Sequence, residues 1–103
     1  MVCAQCAQIA ELTDSGLATD GTITHMFSTN AQGCRQDEVT CTGPAASFAT
    51  FFYYEDGASR GSEGGTTNTI TSLLTCNANG EWEHTNPDNM MSGVVDQIEC
   101  LYA

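Results

Sequence analysis

The side chains with the widest chemical repertoire in this sequence are its six cysteines, Cys3, Cys6, Cys34, Cys41, Cys76 and Cys100, and its two histidines, His25 and His84. Thiolate sulfur and imidazole nitrogen are the usual donors of tetrahedral zinc sites, so the set could fill one such site or two. Structural zinc sites, however, carry two close pairs of ligands, and only Cys3 and Cys6 stand that near each other; Cys34 and Cys41 are seven residues apart. Redox chemistry at Cys3-Ala4-Gln5-Cys6 would need a βαβ setting in which a helix start lowers the pKa of the first thiol, and the sequence lacks that pattern. The remaining use of an even number of thiols in a short chain is disulfide bonding. Each bridge contributes roughly 2–4 kcal/mol, so three could match the net stability of an ordinary domain. Disulfides persist in oxidising compartments, which makes the expected location secreted and extracellular.

Other chemistries find less support. The sequence has no serine in a Gly-x-Ser-x-Gly elbow and no histidine with an adjacent aspartate, so His25 in a strand-like run and His84 just after Trp82 read as surface or core-edge residues. Glu81 and Glu83 would share one face of a strand, flanking Trp82 on its solvent side. Calcium would want a loop with carboxylates at alternate positions and a terminal glutamate. Asp14, Asp20, Glu55, Asp56, Asp88 and Asp96 are instead scattered through turns and strand ends, as a solvated acidic surface. No catalytic residue, metal or cofactor is expected, and the protein reads as a non-enzyme. Tyr53, Tyr54 and Trp82 could stack sugars if exposed and form the candidate contact surface; a lone tryptophan after a cysteine turn can equally plug a core.

Charge narrows the partners. Thirteen acidic residues face two arginines, Arg35 and Arg60, for a formal net charge of −11. Such a chain cannot neutralise nucleic-acid phosphates, and anionic membranes would repel it. Its longest apolar stretches, such as Phe51-Phe52-Tyr53-Tyr54, are far too short to span a bilayer. The opening Met1-Val2-Cys3-Ala4-Gln5-Cys6 has neither a basic start nor a long apolar run, so it reads as a mature or excised start rather than a signal peptide. There is no Asn-x-Ser/Thr acceptor, while Thr66-Thr67-Asn68-Thr69 could carry O-linked sugar.

The elements that must position these residues are short strands. Cys3 to Leu12 fits a short helix or an extended arm. Thr22 to Ser28 alternates loosely and favours a strand, and Asp37 to Thr42 is a strand with Val39 and Cys41 on one face, ended by Gly43-Pro44. Ser47 to Glu55 is apolar on both faces, so it is central or faces a partner. Asp56 to Gly65 is glycine-rich and polar and is expected to be an exposed, flexible hairpin connection. Thr69 to Cys76 puts Ile70, Leu74 and Cys76 on a face with Ser72, with Thr69, Thr71, Leu73 and Thr75 opposite. Asn79-Gly80 turns into Glu81 to His84, where Trp82 is the inward residue. Val94 to Tyr102 is expected as one last strand in which Asp96 is a misfit. Cys41, Cys76 and Cys100 each share parity with apolar neighbours, so all three thiols point into the core, as bridging between sheets requires.

Gly33-Cys34, Val39-Thr40-Cys41-Thr42-Gly43, Leu74-Thr75-Cys76-Asn77-Ala78-Asn79-Gly80-Glu81-Trp82 and Ile98-Glu99-Cys100-Leu101 resemble the six-cysteine domain of nematode extracellular proteins. The opening Cys3-Ala4-Gln5-Cys6 fits the same pattern, so the resemblance covers nearly the whole chain. It implies an extracellular, disulfide-bonded domain without an assigned reaction. The second half also looks like a sushi or complement-control module, in which a cysteine, a glycine-x-tryptophan turn and a final cysteine close a small β domain. That likeness implies pairing of Cys6 with Cys76 and of Cys41 with Cys100, leaving Cys3 with Cys34.

The expectation is therefore a single domain over residues 1–103, all-β, built as a small disulfide-stapled antiparallel β-sandwich. Its expected function is that of a secreted structural or interaction module that meets other copies of itself or extracellular proteins and glycans through β surfaces and strand edges. Homo-oligomers or filaments would follow if such contacts do not close. A carbohydrate-binding or immune-type recognition module is the alternative.

Overall fold

A computed structural model describes residues 2–86 and 91–103. Among these residues a 3₁₀ turn, Val2–Ala4, comes first, and ten strands follow: β1 (Ala10–Leu12), β2 (Thr19–Asp20), β3 (Thr22–Thr29), β4 (Arg35–Thr42), β5 (Ala49–Glu55), β6 (Ala58–Gly64), β7 (Thr69–Cys76), β8 (Trp82–Asn86), β9 (Met91–Val95) and β10 (Gln97–Tyr102). They form two sheets. One runs β1-β10-β5-β6, with β2 beside the end of β10; the other runs β3-β4-β7-β8-β9. All pairings are antiparallel except that of β1 with β10, which is parallel. Asp88 lies outside the described residues.

Alternation places the core. On β4 the inward positions Asp37, Val39 and Cys41 are buried, on β5 Ala49, Phe51 and Tyr53, and on β7 Ser72, Leu74 and Cys76. Strands β4 and β5 face each other from opposite sheets, so their β-branched and aromatic side chains fill the layer between them. The three inward cysteines are in this layer. Cys41–Cys100 links β4 of one sheet to β10 of the other, with Cα atoms 5.5 Å apart. Cys3–Cys34 and Cys6–Cys76, at 4.7 and 5.9 Å, fasten the amino-terminal arm to the ends of β4 and β7. This is the pairing that the likeness to the sushi module implies. With partners 31, 70 and 59 positions apart in sequence, loop-closure entropy assigns each bridge about 4 kcal/mol.

Two expectations are corrected. The glycine-rich stretch from Asp56 to Gly65 is not a flexible loop. Asp56 and Gly57, with φ of 55° and 82°, make a two-residue hairpin turn of the kind that matches strand twist, and the chain pairs with β5 at once. Between Phe52 and Tyr54 the register shifts, and Gly61 at φ 105° supplies the bulge. The second correction concerns the last strand. Asp96 divides it: its amide donates to the Tyr54 carbonyl and its carboxylate accepts from the Asp56 amide, both at 2.9 Å. The chain crosses there from one sheet to the other. Beyond it Ile98, Glu99, Cys100 and Leu101 are all buried, because β10 is covered on both faces.

Candidate functional site

Strands β7 and β8 begin as partners and then separate. They pair only through Thr75 with Glu83 and Cys76 with Trp82, after which β8 continues beside β9 alone. From Thr69 to Leu74, β7 is paired among the described residues on its β4 side only. The separation opens a cleft of about 480 Å³, with Glu63, Ser72 and His84 on its floor and Thr71, Thr75 and Glu83 at its rim.

The floor is a buried polar cluster drawn from four strands. The His84 ring stacks at 4.0 Å on the Tyr53 ring, and His84 Nδ1 lies 3.1 Å from Ser72 Oγ. Tyr53 donates its hydroxyl proton to Glu63 Oε1 at 2.6 Å. The same oxygen stands 3.6 Å from His84 Nε2, which has no hydrogen-bond partner among the described residues. Burial holds the His84 imidazole below its ordinary value, outweighing the Glu63 charge and a backbone bond to Leu73 that pull the other way. The ring is therefore neutral at neutral pH, and the cleft presents a carboxylate, hydroxyls and a ring nitrogen with spare capacity.

Ser72, His84 and Glu63 are the residue types of a nucleophile, base and acid relay, but the contacts differ. The acid is beyond hydrogen-bonding distance of the ring and already accepts from Tyr53. What the cluster offers chemically is the Glu63 carboxylate, a buried acceptor with negative charge, to a positively charged group.

Glu63 is the residue that sequence reasoning missed, because glycine-rich composition hid its strand. Its pairing with Phe51, an inward residue, puts it in the core. Ser72 was legible as a polar residue on an inward face. His84 is neither surface nor edge: two residues after the inward Trp82, it shares that face and is 7% exposed.

The proposed aromatic contact surface is corrected. Tyr53 is fully buried and Trp82 is 5% exposed, its Nε1 donating to the Ala7 carbonyl at 2.8 Å, so both belong to the core. Tyr54 is half-buried and donates to Glu99 Oε1 at 2.8 Å. Burial, then the Glu99 bond and charge, push its phenol up to about 12. Large apolar side chains are exposed elsewhere, with Leu17 and Phe48 around a shallow hollow on the outer face of the first sheet.

His25 forms a second polar centre. Its Nδ1 lies 2.6 Å from Asp37 Oδ2 and its Nε2 2.5 Å from Glu11 Oε2, and its ring stacks beside Phe27. Burial pulls this imidazole down, but the bonds to Glu11 and Asp37 and their charges more than offset it, and the pKa rises. Arg35 lies over the Phe27 ring and donates to the Cys6 carbonyl at 2.6 Å. All six cysteines are bridged, leaving no thiolate for zinc, and no group of three or more metal-binding side chains occurs among the described residues.

Two packed sheets, three bridges and a length of 103 residues define a small disulfide-stabilised β module of the extracellular type. Among the described residues, no helix is long and apolar enough to cross a membrane. Within that class the chain belongs to the C6 domain family, whose model matches residues 3–100. No curated protein and no solved structure matches it.

Proposed function

We propose that this domain is a secreted, non-enzymatic binding module that recognises extracellular partners by strand addition. The observation that carries the reading is the β7 edge from Thr69 to Leu74, which no strand among the described residues pairs on its β8 side, beside an open cleft on a frame held by three disulfides. An unpaired strand edge offers a row of N–H and C=O groups to any extended chain, and rigidity lowers the entropy lost on docking. Among partners, a second copy is disfavoured by a net charge of −11 on each protomer, so self-assembly would require high salt or a bridging cation. The non-enzymatic reading is supported by the distance between Glu63 and His84 and by the burial of Ser72.

Sedimentation velocity over a hundredfold range of concentration, at low and high salt, tests self-association, and a fluorophosphonate probe tests Ser72. The expected results are a monomer at low salt and no labelling. Stoichiometric labelling of Ser72 would overturn the non-enzymatic reading.

A further inference from the structure

We propose that the cleft between β7 and β8 receives an extended segment of a partner protein that pairs along β7 and places a lysine or arginine head group against Glu63 and His84 Nε2. The inference rests on the binding-module reading above and names the partner's chemistry. Geometry supplies the first argument: among the described residues no strand pairs with β7 on this side from Thr69 to Leu74, where Leu73 is met only by the His84 ring, and the cleft lies beside that edge. A strand added there alternates its side chains, so every second one can enter the space between the sheets.

The chemistry of the floor supplies the second. His84 lines the cleft and is more than nine-tenths buried, yet its Nε2 has no hydrogen-bond partner among the described residues. Buried polar atoms in native proteins are almost always satisfied, so such an atom facing open volume marks a place for a ligand group. Glu63 Oε1 is 3.6 Å away and Ser72 Oγ sits on the other side of the ring, while at the rim the hydroxyls of Thr71 and Thr75 are bonded to Thr40 and Gln36 of β4. Carboxylate and hydroxyl oxygens accept hydrogen bonds, and an ammonium or guanidinium is the group that only donates them.

Charge supplies the third. Glu63 and Glu83 line the cleft without a cation among its residues, so an anion would be repelled. This chain has no cationic side chain to spare for another copy: Arg35 is held by the Cys6 carbonyl and Phe27, and Arg60 by Glu55. A metal ion finds too few ligands, since no three metal-binding side chains converge among the described residues. A cationic strand satisfies all three observations.

The test is selection of phage-displayed random peptides on the intact, oxidised domain at about 150 mM salt, followed by ¹⁵N chemical-shift mapping with the selected peptide. The expected peptides carry one lysine or arginine among β-favouring residues and shift the amides of residues 69–74. Glu63→Gln should weaken their binding about tenfold, and Glu38→Gln, an equal charge change at an exposed position of β4, should leave it within about twofold. If Glu63→Gln fails to fold, Glu83→Gln at the rim should weaken binding about threefold.

Equal losses from Glu38→Gln would show bulk attraction and overturn the proposal. Peptides lacking a cation, or shifts confined to the Leu17 and Phe48 face, would overturn it while leaving the binding-module reading standing. No enrichment at all, from a domain that also stays monomeric at high salt, would remove both.

Discussion

His25 Nε2 lies 2.5 Å from Glu11 Oε2, a contact that joins β3, the outer strand of one sheet, to β1, the short parallel strand of the other. Because Asp37 holds the opposite ring nitrogen, the imidazole meets both carboxylates best as a cation, with each N–H donating. Its raised pKa makes stability depend on pH in a defined direction. The folded state holds this proton more tightly than the unfolded chain, so the contribution is complete below the ordinary value of 6.5 and is lost as pH rises through the raised value. In His25→Gln that alkaline-side loss should flatten. Urea midpoints measured from mildly acidic to mildly alkaline pH check it, and a midpoint of the parent protein that rose through this window because of His25 would refute the assignment.

His84 should act with the opposite sign. Its folded-state pKa lies below 6.5, so the unfolded chain takes up the proton first, and stability falls as pH drops from 6.5 towards the depressed value. His84→Gln should flatten the acid-side slope and leave the alkaline side intact. Comparing the two variants separates the histidines, since each removes one limb of the same profile. Two-dimensional NMR of the imidazole protons gives the titrations directly, and an elevated His84 value would contradict the burial argument.

The phenol of Tyr54 offers a third readout. Burial, reinforced by the bond to Glu99 and by its charge, lifts its pKa to about 12. Glu99 itself is fully buried on β10, and replacing it with glutamine keeps an acceptor while removing the charge. Absorbance titration near 295 nm should therefore show one tyrosine shift downward in Glu99→Gln, with burial still keeping it above 10. An unchanged curve would mean that Glu99 does not act on Tyr54.

Much of this arrangement was readable before any coordinates. Alternation in Asp37 to Thr42 and Thr69 to Cys76 gave β4 and β7 together with the inward direction of Cys41 and Cys76, because a half-buried strand must alternate. Glu63 was not readable: seven residues rich in glycine and serine look like a loop, and only the register against Phe51 turns the carboxylate inward. The cleft was not readable either. Ser72 and His84 are twelve residues apart in sequence, and their meeting depends on β8 leaving β7 after two paired positions. Tyr53 and Trp82 were open to two readings because an aromatic residue on a strand serves a core or a binding face equally well. Packing against the second sheet decided for the core.

Gly21, between β2 and β3, tests how tightly the disulfide frame is closed. A Cβ added there would come within 2.7 Å of Cys100 Sγ and 2.8 Å of the Thr42 carbonyl oxygen. Neither neighbour is the end of a flexible side chain. The sulfur is bonded to Cys41 across the sheets, and Thr42 is backbone paired with Thr22. Relief would have to come from moving β3 away from β4 or from displacing the bridge, and crowding of this kind costs about 1–3 kcal/mol. Gly21→Ala should therefore lower the thermal midpoint by roughly 5–15 °C for a domain of this size. Gly16→Ala provides the comparison: no atom lies within 4 Å of its added Cβ, and its cost is confined to backbone strain at φ 84°. If Cys41 and Cys100 are both replaced by alanine, the sulfur obstructing Gly21 is gone, and the penalty of Gly21→Ala in that background should shrink to the part set by the Thr42 carbonyl. A penalty unchanged by removal of the bridge would locate the obstruction in the Thr42 backbone instead and would disprove the role given to the sulfur.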